Sequence, residues 1–203
     1  MISEAGAVPE VWPWETVSPH DVGQLLEEVP FPWWIAGGWA MSLFLGRETR
    51  RHHDIDIALL RRDQVGLRRH LSDWDLHYVT PERRLEPWDG RVLEPPVTRI
   101  WARRSPGAPW FCELLLEEAG DGRWIFRRDQ RVSRPLSDVG HTTPDALPFV
   151  SPEIALLYTL ARPRPKAKAD LLAIHSRMSH TSRDWLRKAL RTCCPDHPAL
   201  PII

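Results

Sequence analysis

The sequence predicts an α+β fold with a helical C-terminal subdomain. Short apolar runs rich in β-branched and aromatic residues prevail in the first part of the chain, and helical spacing prevails after Ser151. Glycine-containing turns, such as those at residues 37–38 and 119–122, separate the apolar runs. Strands therefore come first and helices last, which is typical of an α+β chain. We expect one domain over residues 1–150 and a helical subdomain over residues 151–203.

The composition is that of a globular chain. Hydrophobic residues make up 42% and charged residues 27% of the 203 residues, which excludes a disordered tail. A chain of this length buries roughly 70% of its unfolded surface without disulfides or a structural metal. The sequence has no apolar run of about 20 residues, so no membrane partner is expected. No basic start followed by an apolar stretch opens the chain, and we expect a cytoplasmic protein.

Charge and cysteine content restrict the partners. Lys plus Arg (27) equals Asp plus Glu (27), so no overall positive field attracts nucleic acid. The three cysteines show neither C-x-x-C spacing nor a disulfide framework, and we expect reduced thiols. Most of the 11 tryptophans are expected in the core.

Local patterns predict the N-terminal elements. Residues 1–17 show no periodicity and are expected to form an arm. Ser18 followed by Pro19 is typical of a helix start, and apolar residues at helical spacing continue to Pro30. A short strand over 33–36 then leads through Gly37-Gly38 into a buried helix that ends at Gly46.

The rest of the chain is predicted in the same way. Strands are expected at 54–60, 75–79 and 97–103, with a polar helix at 63–71. Residues 110–116 and 123–127 form a predicted hairpin around the turn at 119–122, and residues 130–150 are expected to be loop. Three helices are predicted to follow. The first starts at Ser151, where a serine cap and a proline are again adjacent, and the other two are expected over 166–178 and 182–192.

Two carboxylates carry the strongest chemical signal. In a strand, Asp54 and Asp56 point to one face while Ile55 and Ile57 point to the other. Like charges this close repel unless a cation neutralises them, and Mg²⁺ suits hard carboxylate oxygens. The alternative is an amphipathic strand with two acids in solvent. Glu113, a lone acid in an apolar run, is a third candidate, because a buried carboxylate needs a partner or a metal; it could equally lie on a wet sheet face.

The glycine pair carries a second signal. Gly37 and Gly38 stand where a strand passes into a helix, and backbone N–H groups there can hold phosphate oxygens. The G-K-[ST] ending of a complete P-loop is absent, and glycine pairs are also common in turns. Phosphate held by backbone amides beside two or three metal-binding carboxylates suits nucleotidyl transfer, in which positioning and charge stabilisation do most of the work.

These residues resemble a known family signature. The segments Trp34-Ile35-Ala36-Gly37-Gly38-Trp39-Ala40 and Gly46-Arg47-Glu48-Thr49-Arg50-Arg51-His52-His53-Asp54-Ile55-Asp56-Ile57 are similar to the DNA polymerase β-like nucleotidyltransferases. The similarity is greatest to the aminoglycoside 2″-nucleotidyltransferases and the lincosamide-modifying enzymes. The resemblance implies the nucleotidyltransferase fold, a small mixed sheet flanked by helices, in residues 1–150.

The resemblance also implies roles for individual residues. Asp54 and Asp56 would bind Mg²⁺, and Glu113, where the family usually has Asp, would be either a third metal ligand or the base that takes the acceptor's proton. Gly37 and Gly38 would face the triphosphate. Four further candidates for the nucleotide or metal site are Trp39, Arg50, His52 and Lys166.

A different role is expected for each of these four residues. Trp39 would stack on the nucleotide or pack in the core, and Arg50 would contact phosphate. His52 would orient an aspartate. Lys166 or Lys168 would supply the phosphate contact of the lysine that the family often has where this chain has Thr159.

The expected reaction transfers AMP from ATP, with Mg²⁺, to a hydroxyl of a small molecule such as an aminoglycoside, releasing pyrophosphate; the resemblance thus points to antibiotic resistance. Two alternatives stay open: a toxin-like nucleotidyltransferase acting on RNA or protein, and a catalytically silent nucleotide-binding protein of the same fold. The balanced net charge argues against RNA.

Overall fold

A computed structural model describes residues 13–48, 50–162 and 167–203. The described helices are α1 (Pro19–Leu25), α2 (Gly37–Leu45), α3 (Gln64–His70), α4 (Pro152–Leu160), α5 (Ala167–His175) and α6 (His180–Cys193). The described strands are β1 (Trp33–Ile35), β2 (Asp56–Leu60), β3 (Asp75–Val79), β4 (Leu85–Pro87), β5 (Arg99–Arg103), β6 (Cys112–Gly120), β7 (Arg123–Ile125), β8 (Ser133–Pro135), β9 (Gly140–Thr142) and β10 (Pro148–Val150).

The described residues form two compact units, each made from separate stretches of chain. One unit comprises residues 13–33 and 52–117, and the other comprises residues 34–51 and 118–203 without the undescribed positions. Strand β6 starts in the first unit and ends in the second. The domain boundary expected at residue 150 stays a prediction.

The first unit is built on a mixed sheet with the strand order β4-β3-β5-β6-β2. Strands β2 and β6 run parallel, whereas β6–β5, β5–β3 and β3–β4 are antiparallel pairs. Side chains of paired residues share a face. One face therefore carries apolar residues that are 0–3% exposed: Ile57, Leu59, Leu76, Ile100, Ala102, Cys112, Leu114 and Leu116.

The opposite face of this sheet carries charge. Asp56, Glu113, Arg99 and Arg103 lie there, because each alternates with a residue of the apolar face. Burial of the apolar face stabilises the sheet by about 25 cal/mol for each Å² removed from water. The charged side chains thus share one face of the sheet with buried apolar residues such as Trp101, and the apolar set named above lies on the other face.

Among the described elements, the second unit contains the remaining strands and the helices α2, α4, α5 and α6. Strand β1 pairs with β10 in parallel, and β10 pairs with β9. The end of β6 continues into β7 through a turn in which Asp121 and Gly122 have φ values of 51° and 71°, so the predicted hairpin is confirmed. Helix α4, buried on most of its surface, packs against α2, α5 and α6.

Two predictions about local structure were wrong. Residues 130–150 are not loop: they contain β8, β9 and β10, whose three-residue lengths are too short to show a period. The acidic strand starts at Asp56 instead of residue 54, so Asp54 lies in a bend before it and strand alternation does not place the two aspartates.

The N-terminal arm is tied down where it is described. The Trp110 N–H donates to the Pro13 carbonyl over 2.9 Å, and the Glu15 N–H donates to the Trp110 carbonyl over 2.8 Å. Trp14 packs on a cluster of Val79, Leu85, Trp101 and Trp110. Helices in the described ranges are all too short or too polar to cross a bilayer.

Candidate active site

Asp56 and Glu113 lie side by side on neighbouring parallel strands. They are register partners in the β2–β6 pair, so their side chains share the charged face of the sheet. The Glu113 N–H also donates to the Ile55 carbonyl over 2.9 Å, which ties the segment before β2 to β6. Two of the three carboxylates singled out in the sequence are therefore neighbours.

Asp54, the third carboxylate, is solvent-exposed. Its negative charge nevertheless helps to raise the pKa of Asp56. Asp54 therefore lies near enough to the pair to contribute charge, although it is not on the strand.

Glu113 is buried and held by two donors from β5. Only 5% of the residue is exposed. The Trp101 Nε1–H donates to Glu113 Oε1 over 3.1 Å, and the Arg99 Nε–H donates to the same oxygen. A carboxylate this far from water needs such partners, because an unpaired buried charge is costly.

The pKa of Asp56 is raised well above its usual range. Burial is the largest cause, followed by the negative charges of Glu113 and Asp54 and by a hydrogen bond with Glu113, whereas Arg99 acts in the opposite direction. Crowded carboxylates of this kind favour either a proton or another cation among them.

The pair fits a divalent cation in donor chemistry. No group of three or more His, Cys, Asp or Glu side chains in the described part of the chain is assembled as a metal site. Mg²⁺, however, is commonly held by one or two carboxylates, with water and substrate phosphates filling its other positions. Asp56 and Glu113 meet that requirement, with Asp54 close by.

The predicted phosphate-binding glycines lie in the second unit. Gly37 and Gly38 open α2, and Gly37 has a φ of 58°, a value that favours glycine. The N-cap residue, Ala36, makes no side-chain capping hydrogen bond. Trp39 lies in the first turn and is half-buried. A helix start without a side-chain cap is suited to bind an anion.

The other predicted site residues lie in several different parts of the chain. Arg50 is half-buried in a bend of the second unit, and His52 is half-buried in the first unit, before the acidic residues. Lys166 lies outside the described residues, as does Thr49 of the signature. The Thr159 hydroxyl donates to the Ala155 carbonyl within α4 over 3.0 Å. The roles expected for these residues stay predictions.

Sequence reasoning missed Arg99 and Trp101. Their spacing of two within a predicted strand shows that they share a face. No sequence signal, however, fixes which residue of β6 stands opposite them. Only the β5–β6 register, with Trp101 paired to Glu113, brings them to the site.

The chain is similar to aminoglycoside-modifying enzymes in its N-terminal part. Residues 19–86 match the family model described as aminoglycoside-2″-adenylyltransferase. Relatives described as 2″-aminoglycoside nucleotidyltransferase, from Klebsiella pneumoniae and Escherichia coli, are 47% identical over 39 residues. That stretch is 19% of this chain and spans only 22% of each relative.

Solved structures share the fold over most of the chain. The crystal structure of ANT(2″)-Ia in complex with adenylyl-2″-tobramycin has a TM-score of 0.54 at 18% identity, covering 85% of this chain and 95% of that one. The lincomycin-bound lincosamide adenylyltransferase LnuA also has a TM-score of 0.54, at 16% identity, covering 82% and 99%.

At these identities the solved structures establish the fold, and the family model adds a match that includes Asp54 and Asp56. The chain therefore has the nucleotidyltransferase fold and, over residues 19–86, resembles the aminoglycoside 2″-adenylyltransferases.

Proposed function

We propose that the chain is a Mg²⁺-dependent nucleotidyltransferase that transfers AMP from ATP to a hydroxyl group of a small molecule of the aminoglycoside type. The observation that carries the proposal is the register of Asp56 against Glu113 on adjacent parallel strands. The match of residues 19–86 to the adenylyltransferase model supports the same reaction class. The structural relative that holds an adenylylated tobramycin supports the acceptor class.

The reaction exchanges one bond at the α-phosphorus of ATP. The acceptor oxygen forms a bond to that phosphorus, the bond to the β-phosphate oxygen breaks, and pyrophosphate leaves. The acceptor's hydroxyl proton passes to a base. A bound Mg²⁺ would supply charge neutralisation for the phosphate oxygens and the leaving pyrophosphate.

The chain's own residues would hold the cation and position the phosphate groups of the nucleotide. Asp56 and Glu113 would hold the cation, with Asp54 adding negative charge. The N–H groups at the start of α2, at Gly37 and Gly38, would bind phosphate oxygens. Positioning and electrostatic stabilisation of this kind account for most of the catalysis in such transfers.

An acceptor screen tests the proposal. Purified protein, Mg²⁺ and labelled ATP or GTP are incubated with aminoglycosides, lincosamides or tRNA, and pyrophosphate and labelled product are measured. Label on an aminoglycoside supports the proposal. Label on RNA or on a protein would contradict it in favour of a toxin-like enzyme, and nucleotide binding without turnover would favour a silent binding protein.

The turnover of the Asp56→Asn variant tests whether the activity depends on the carboxylate pair. Removing one carboxylate of the pair should cost about 4 kcal/mol of transition-state stabilisation, or about a thousandfold in kcat. The matched control is Asp73→Asn, since Asp73 is an exposed aspartate of the same unit and should keep wild-type turnover. Wild-type turnover in Asp56→Asn would refute the assignment.

A further inference from the structure

The carboxylate of Glu113 is held asymmetrically. Both donors from β5, the Arg99 Nε–H and the Trp101 Nε1–H, meet the same oxygen, Oε1. Oε2 accepts neither of these two hydrogen bonds. Strand β6 lies between β5 and β2, so the donors reach Glu113 from one neighbouring strand and Asp56 lies on the other, all on the same face of the sheet.

The two donors come from different environments. Trp101 is 5% exposed and directly opposite Glu113 in register, so its indole N–H is fixed by packing. The Arg99 side chain is 43% exposed, against 6% for that of Glu113. The Arg99 side chain is therefore partly exposed to solvent, and its Nε–H donates to a buried oxygen.

The charge of Arg99 has a second consequence. The sheet face brings the charge of Glu113 next to that of Asp56, the charge of Asp54 also acts on Asp56, and Arg99 opposes both at Asp56. Without a cation, this cluster would favour turning Glu113 away from its neighbours. An ion pair with Arg99 opposes that movement before any metal arrives.

We propose that Arg99 and Trp101 are positioning residues that hold Glu113 Oε1, so that Glu113 and Asp56 together present oxygens to one divalent cation. This inference rests on the proposed metal site of the preceding section. Partners of metal-binding carboxylates commonly fix the ligand's orientation, and their loss costs about 10- to 100-fold in metal affinity or activity.

Metal binding provides a test that does not depend on turnover. Mn²⁺ is titrated into wild type, Arg99→Met, Arg99→Lys and Trp101→Phe, and free Mn²⁺ is followed by electron paramagnetic resonance. We expect Arg99→Met to weaken Mn²⁺ binding about tenfold, and Trp101→Phe to weaken it less. Arg99→Lys should recover part of the loss, because it keeps a cationic donor without the guanidinium geometry.

Steady-state kinetics separate positioning from nucleotide contact. A positioning role predicts a lower kcat in Arg99→Met with a KM for ATP within about twofold of wild type. A large rise in KM with unchanged Mn²⁺ affinity would show instead that Arg99 contacts the nucleotide. Tighter Mn²⁺ binding in Arg99→Met would show that Arg99 competes with the cation. Either result overturns the inference.

Controls keep the outcome interpretable. Arg104→Met removes the arginine that directly follows β5, where the side chain is 61% exposed, and should bind Mn²⁺ as wild type does. Circular dichroism checks each fold; should Arg99→Met not fold, Arg99→Lys and Trp101→Phe carry the test, and wild-type Mn²⁺ affinity in both overturns the inference.

Two further results distinguish a failure of the proposed function from a failure of this inference. Unchanged Mn²⁺ binding in Asp56→Asn would remove the metal site and this inference with it. Mn²⁺ binding that follows the expected order without adenylylation of any acceptor would contradict the proposed reaction and support the positioning roles.

Discussion

Gly140 shows how closely side chains approach the backbone in the second unit. A Cβ atom on Gly140 would overlap the Trp34 ring and lie 2.8 Å from the Phe149 carbonyl oxygen. Neither neighbour is the free end of a flexible chain, so the backbone or the indole must move. We expect Gly140→Ala to lower the free energy of unfolding by about 2–3 kcal/mol, measured by urea denaturation.

Gly120 is the matched control for this prediction. A Cβ there would meet only Ile125 Cδ1 at 3.6 Å, an ordinary contact. Gly120→Ala should therefore change the free energy of unfolding by no more than about 0.5 kcal/mol. Equal effects of the two substitutions would contradict the close packing of Trp34 on Gly140.

Sequence reasoning at the residue scale succeeded for Glu113 and failed for its partners. A lone acid in an apolar run signals a buried carboxylate that needs a partner, and Glu113 is buried and paired. The partners, Arg99 and Trp101, become visible only through the register of β5 on β6. Register depends on tertiary packing, which local sequence does not encode.

At the scale of elements, one sequence signal had two structural outcomes. Ser18 before Pro19 and Ser151 before Pro152 both predict a helix start, and both helices start there. Ser18 forms a capping box with Asp21. Ser151 is buried, and its hydroxyl donates to the Asp138 carbonyl over 3.0 Å instead of capping α4. The signal locates a helix start reliably, whereas burial decides what the side chain binds.

Three short strands of the second unit were not predicted from the sequence pattern. Strands β8, β9 and β10 contain three residues each, so alternation has no room to appear. Strand β3, at Asp75–Val79, is longer and was predicted with correct bounds. Pairing with neighbouring strands, not local preference, makes the short segments extended.

His175, at the end of α5, makes the stability of the helical region depend on pH. Burial lowers the pKa of His175 below its usual 6.5, and the charges of Arg183 and Arg187 on α6 lower it further, against a hydrogen bond to the Ile203 backbone. The unfolded chain then binds the proton more readily than the folded chain. Stability is therefore complete above pH 6.5 and is lost as the pH falls from there towards the lower folded-state pKa.

Urea denaturation at pH 7.5 and pH 5.5 measures this dependence. We expect His175→Gln to lose less stability between the two pH values than wild type, because glutamine takes up no proton. His180→Gln, at an exposed position, should keep the wild-type dependence. An unchanged pH dependence in His175→Gln would contradict the assignment to this histidine.

At the scale of the whole molecule, the fold class was predictable from the sequence. The α+β class follows from the order of strand and helix patterns, and the solved nucleotidyltransferases confirm it. The compact units, however, combine distant stretches of chain, and β6 contributes to both. Long-range contacts of this kind leave no mark in composition or periodicity.

The central claim is that Asp56 and Glu113 together bind a divalent cation that serves a nucleoside triphosphate. Anomalous diffraction from crystals grown with Mn²⁺ and a non-hydrolysable ATP analogue tests it most directly. We expect a Mn²⁺ peak within about 2.5 Å of an oxygen of each carboxylate, with phosphate oxygens of the analogue completing the shell. A bound analogue whose metal touches neither Asp56 nor Glu113 would contradict the claim.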